Sequence, residues 1–168
     1  METVVHMGEA AASNAPGHVL ACIGLGSCIG LALIDRAAGV AGLAHVMLPQ
    51  SGRPDPPQPY RFADLVVPAL IDLVLAQGAL RARLQAALAG GAAMFEFGGA
   101  GQDIGARNEA VVARMLQAHR VPVAAVTTGG SRGRTIRVTA GRDLSITVRE
   151  AGGAEQYLIG TSAHAVAA

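Results

Sequence analysis

The sequence predicts a single-domain, β-rich fold of the α+β or layered α/β class. Three observations carry this. Short apolar, β-compatible runs follow one another with glycine-containing turns between them. Only two windows, beginning near residues 63 and 104, hold together as helices. Between strands and first helix lies a stretch with four prolines, SGRPDPPQP, which neither a helix nor a central strand tolerates. A chain of 168 residues that is 51% hydrophobic is long and apolar enough for one domain with its own core, and the span 1–168 is read as one. Aromatics make up only 3%, so that core must be built from alanine, valine, leucine and glycine.

Taken in order, HVLACI (18–23) is an apolar strand ending at Gly24. CIGLALID (28–35) and VAGLAHVML (40–48) are paired most economically as a hairpin across RAAG, with Gly39 supplying turn freedom. Residues 50–60 form the proline-rich loop. YRFADLVVPALIDLVLAQG is a helix starting near Ala63 or Asp64, which places Pro68 close to the first turn and Gly78 just past the end. By propensity alone, ALRARLQAALAGGAAMFEF favours a helix. GGAGQ (98–102) reads as a flexible loop. IGARNEAVVARMLQAHR is a helix with Val111, Val112, Met115 and Leu116 on one side. Its opening carries Arg107 and Asn108, where Asn can cap, and its end carries His119 and Arg120, which suit the dipole. VPVAAVTT is a strand, TIRVTAGRDLSITVRE is a hairpin around AGRD, and residues 160–168 are a flexible tail.

Composition excludes several functions. The net charge is +1 and the basic residues are scattered, which argues against a nucleic-acid or anionic-membrane surface. Only Arg132, Arg134 and Arg137 cluster, and they read as the solvated face of a strand and its loop. The N-terminus lacks the basic start and apolar block of a signal peptide. The longest apolar window, LVVPALIDLVLA, is broken by Pro68 and Asp72 and is too short to span a bilayer. The expectation is a cytoplasmic protein without membrane insertion, whose two cysteines, Cys22 and Cys28, are thiols. Their C-x5-C spacing matches no common zinc site and the five histidines are isolated, so neither metal nor cofactor is expected.

The chemistry-bearing candidates are Cys28 and His45. If RA or AA makes a two-residue hairpin turn, paired residue numbers sum to 73 or 75. In the first register Cys28 lies opposite His45, with Cβ atoms roughly 5 Å apart. In the second they are diagonal neighbours at about 7 Å. A slip of one residue would put them on opposite faces. Histidine beside a cysteine can take the thiol proton, leave a thiolate–imidazolium pair, and later return the proton to a leaving group. Gly24 and Gly26 let GLGSC bend sharply and expose the N–H groups of Ser27 and Cys28 to a developing oxyanion, so acyl transfer at a carbonyl or carboxamide is the chemistry expected. Spacing alone leaves a second reading open, in which the cysteine is an inert small hydrophobe and the histidine a satisfied core residue. A dinucleotide loop at GLGSCIG is disfavoured, because a strand rather than a helix follows it.

The chain also resembles the chemoreceptor glutamine deamidase family of bacterial chemotaxis, called CheD. The resemblance rests on GLGSC (24–28), AHVMLP (44–49), GGAAMF (90–95), IGARN (104–108), TGGSRGR (128–134) and GGAEQYLI (152–159), in that order. It implies a layered β-sheet sandwich with two main helices packed on one side, and a strand ending near Phe95. It implies hydrolysis of specific glutamine side-chain amides on methyl-accepting chemotaxis receptors to glutamate and ammonia, through a cysteine thioester. By the same resemblance Cys28 is the nucleophile, His45 the base, and a CheC-type phosphatase a second partner. One position departs: Cys22 stands where the family pattern has threonine. A thiol orients imidazole more weakly than a hydroxyl, so a slower enzyme is expected, one that Cys22→Thr would quicken. The alternative is a weak or inactive adaptor that binds receptors or the phosphatase.

Overall fold

In the computed structural model, which describes residues 1–93 and 103–160, the apolar runs become strands of two mixed sheets. One sheet has the order β1 (Glu2–Val4), β3 (Val19–Leu25), β8 (Arg134–Thr139), β9 (Ser145–Glu150), β10 (Glu155–Ile159). The other has the order β2 (Ala10–Ser13), β5 (Val40–Val46), β4 (Ile29–Asp35), β6 (Gln85–Gly90), β7 (Val123–Thr128). Helices α1 (Ala63–Ala76) and α2 (Ile104–Ala118) pack side by side on the outer face of the second sheet. The result is one α+β sandwich with both helices on one side.

Two cores follow from the period-2 alternation of the central strands. Leu31, Leu33, Val40, Ala44 and Leu88 face the helices and meet Val66, Leu70, Val74, Val112 and Leu116. Ala32, Ile34, Leu43, Ala87 and Ala89 face the first sheet and meet Leu20, Cys22, Ile136, Val138 and Ile146. Because both faces are covered, β4 and β5 are buried at every residue and read as unbroken apolar runs. The sheets pack tightly at Gly30: a Cβ there would lie 2.7 Å from Ile136 Cγ2 and 2.9 Å from Leu25 Cδ1.

Several elements differ from the sequence expectation. The hairpin pairs Asp35 with Val40, so its loop is all four residues of RAAG, and paired numbers sum to 75 (Ile29 with Val46, Gly30 with His45). The alanine-rich QAALAG is a strand, as the resemblance implies and against local helix propensity, because pairing with β4 and β7 and burial on both faces outweigh that propensity. It ends at Gly90, ahead of the expected end; Phe95, the GGAGQ loop and the tail beyond Gly160 lie outside the described residues. Pro68 sits in the second turn of α1, where the carbonyl of Asp64 loses its helical partner. Helix α2 is capped by Asp103, whose Oδ1 accepts the Ala106 N–H at 2.9 Å, and not by Asn108. Arg134 is buried rather than solvated: its Nη1 donates to the carbonyls of Gly90 (3.2 Å) and Gly129 (2.7 Å). Strands β1, β2 and β10 form three of the four sheet edges.

Candidate active site

The turn Gly24–Cys28 is where the chain leaves β3 in one sheet and enters β4 in the other. Its shape is set by three successive carbonyls, each held by a donor from elsewhere. Gly26 O accepts from Ala92 N at 2.9 Å and Cys28 O from Gly91 N at 2.9 Å. Ser27 O, between them, accepts from Asn108 Nδ2 at 3.0 Å. Gly90 and Gly91 make the approach feasible. Both have positive φ (104° and 62°), and a Cβ at Gly90 would run into the Cys28 carbonyl oxygen. In a trans peptide the C=O of one residue and the N–H of the next point to opposite sides. Drawing the Gly26 and Ser27 carbonyls inward therefore turns the Ser27 and Cys28 N–H groups the other way. Neither amide donates to another group among the described residues.

His45 lies on β5 opposite Gly30, and Cys28, just ahead of β4 and two residues before Gly30, packs against the core cluster on the same face. That face looks toward the first sheet, where Cys22 is fully buried and Cys28 partly so. The hairpin thus adopts the second of the two registers open to the sequence. The His45 backbone is clamped on β5's other side, its N–H on Glu9 O and its C=O accepting from Gly8, both at 3.0 Å. Its ring Nδ1 lies 3.1 Å from the carbonyl of Val5. A carbonyl only accepts, so Nδ1 carries the proton and Nε2 is the basic nitrogen.

Cys22 does not supply that orienting contact. Its thiol donates to the Ala44 carbonyl at 3.9 Å, so the tautomer that the sequence reading tied to position 22 is fixed by Val5. A main-chain acceptor leaves no residue-type signal in the sequence, which is why it was missed.

Burial acts on both candidate groups. Burial lowers the His45 pKa, and His6 pushes the same way against the Val5 carbonyl and Glu9. Burial raises the Cys28 thiol above its ordinary value. Burial, with Cys28 as a neighbour, raises Cys22 much further. Each group taken alone is pushed toward its neutral form, against the sequence expectation of a thiolate–imidazolium pair. Among the described residues no group of three or more His, Cys, Asp or Glu side chains is placed to hold a metal ion.

A family model described as CheD chemotactic sensory transduction matches residues 47–156. A protein of Thermotoga maritima called chemoreceptor glutamine deamidase CheD is 40% identical over 161 residues, covering 95% of this chain and 98% of its own. Proteins called probable chemoreceptor glutamine deamidase CheD give similar matches. That of Clostridium botulinum is 42% identical over 83% of this chain and 86% of its own. That of Geobacillus kaustophilus is 46% identical over 73% and 76%.

Proposed function

This chain belongs to the CheD chemotactic sensory transduction family, and from that premise we propose that it is a chemoreceptor glutamine deamidase acting through Cys28 and His45. The observation that carries the reading is the shared face of Cys28 and His45 beside a turn with three successive carbonyls held by donors from elsewhere in the fold.

His45 Nε2 takes the thiol proton as Cys28 Sγ adds to the carboxamide carbon of a receptor glutamine. The carbonyl π electrons move to oxygen, and that oxyanion is met by the Ser27 and Cys28 N–H groups, each such donor being worth about 10²–10³-fold. The imidazolium returns its proton to the amide nitrogen, the C–N bond breaks, and ammonia leaves behind a thioester. Water then adds, deprotonated by the same nitrogen. Collapse of the second tetrahedral intermediate releases glutamate and restores the thiol. Gly26 is a turn residue here and Ser27 an amide donor rather than a nucleophile.

The substrate side chain sits on a long helical receptor, so the enzyme docks on a helix surface in the cytoplasm. No helix among the described residues is long and apolar enough to cross a membrane. A CheC-type phosphatase is a second partner we propose, docking over the turn that carries Cys28.

Mass spectrometry of receptor peptides tests the reading. Wild type converts a glutamine to glutamate, with the amide-to-acid mass gain at that residue, and Cys28→Ala does not. A peptide that is bound yet left unmodified by wild type would instead mark an adaptor.

A further inference from the structure

Asn108 stands in the second turn of α2, is fully buried, and makes no hydrogen bond within its own helix through its side chain. Its Nδ2 instead lies 3.0 Å from Ser27 O and 3.0 Å from Met47 O. Both partners are carbonyls, so the atom facing them must be the amide nitrogen with its two donors. One side chain thus ties the residue before Cys28 to the end of the strand that carries His45. The helix is seated for this: Gly105 packs against the Gly91–Ala92 backbone, where a Cβ would come within 2.9 Å of Ala92 O. Asn108 Oδ1 is buried without a partner among the described residues, so all of its hydrogen bonding goes through nitrogen. An unsatisfied buried acceptor is costly, and an apolar residue filling the same space would not incur that cost.

Resting on the Cys28–His45 reading, we propose that Asn108 is the positioning residue of the oxyanion donor. Holding the Ser27 carbonyl fixes the Ser27–Cys28 peptide plane, and through that plane it aims the Cys28 N–H at the developing oxyanion. The bond to Met47 fixes where that plane stands relative to β5. Asn108 touches neither thiol nor substrate and acts on the transition state alone.

The test separates deamidation from plain thiol reactivity, because alkylation needs the thiol but no oxyanion donor. In Asn108→Ala, kcat for a glutamine peptide from a receptor helix falls about ten- to a hundredfold, since the donor is loosened rather than removed. KM, and the rate at which iodoacetamide labels Cys28, stay within about threefold of wild type. A kcat equally close to wild type overturns the assignment, as does labelling that falls in step with kcat. Asn108→Asp keeps the shape but loses the donors, and the same split is expected there. It decides the matter if Asn108→Ala does not fold. Loss of the folded state in both variants overturns the proposal, since the side chain would then hold the fold and not the site. Full activity in Cys28→Ala sinks the nucleophile itself, whereas an inactive Cys28→Ala beside an unimpaired Asn108→Ala sinks only the role of Asn108.

Discussion

The two ends of strand β4 solve the same problem in opposite ways. At its far end Asp35 is wholly buried and saturated. Its carboxylate accepts from Arg83 Nε (2.9 and 3.0 Å) and from the backbone of Leu80 (2.8 Å) and Ala38 (3.1 Å), and it pairs with Arg83 Nη2 at 2.9 Å. At the near end, the turn into Cys28 anchors its carbonyls and leaves two amide donors and a half-buried thiol uncommitted. A turn that exists for stability fills every valence, because a buried unpaired group is costly. On the proposed reading, the turn that serves chemistry is held from behind, with its reactive groups left free for a substrate.

Substitutions at the two ends should therefore fail differently. The largest effect is expected for Cys28→Ala: loss of deamidation by about 10⁴-fold or more, with the melting temperature and peptide binding little changed. His45→Ala follows, with a loss of about 10²–10⁴-fold in kcat, read by the same mass assay. Asp35→Ala inverts the pattern. It destabilises by about 2–4 kcal/mol in denaturant titration, while activity per folded molecule stays near wild type. The pH dependence has a definite sign. Burial works against the Asp35 charge, but Arg83 and two backbone amides outweigh it and hold the carboxyl below its usual range. The wild-type advantage is thus fully present above about pH 4 and is lost as pH falls through the lowered folded value.

Finer tests act on the reactive end. With the Cys28 thiol pushed up by burial, iodoacetamide labelling should climb into the alkaline range, with a midpoint above that of an open thiol. A plateau already present in mildly acidic solution would restore the thiolate–imidazolium pair. Cys22, higher still, should label more slowly than Cys28 throughout. The smallest effect is expected for Cys22→Thr: activity within about threefold of wild type, under 1 kcal/mol, because Val5 already orients the imidazole. A larger gain would return the orienting role to position 22.

Much of this was legible in the sequence where the interaction is local or periodic. The hairpin spanning Cys28 and His45, helix α1 with Gly78 beyond its end, and the β8–β9 hairpin around AGRD follow from short-range pattern. The alanine-rich β6 was legible through the family resemblance but not from local propensity, because its strand state comes from neighbours on both sides. Asn108 was visible only as part of the IGARN match, where it read as a capping residue. The signal was an Asn four positions inside a helix that Asp103 already caps.

By itself, the sequence determined which residues could react and which of them could share a face. Side-chain parity along a strand is a property of spacing, and it survived a four-residue loop in place of a two-residue turn. Tertiary structure alone decided how those residues are aimed. The groups that do the aiming are a carbonyl 40 positions from His45 and a carboxamide 81 positions from Ser27. Partners so far apart along the chain meet only once both sheets and α2 have packed, and no local pattern records their meeting.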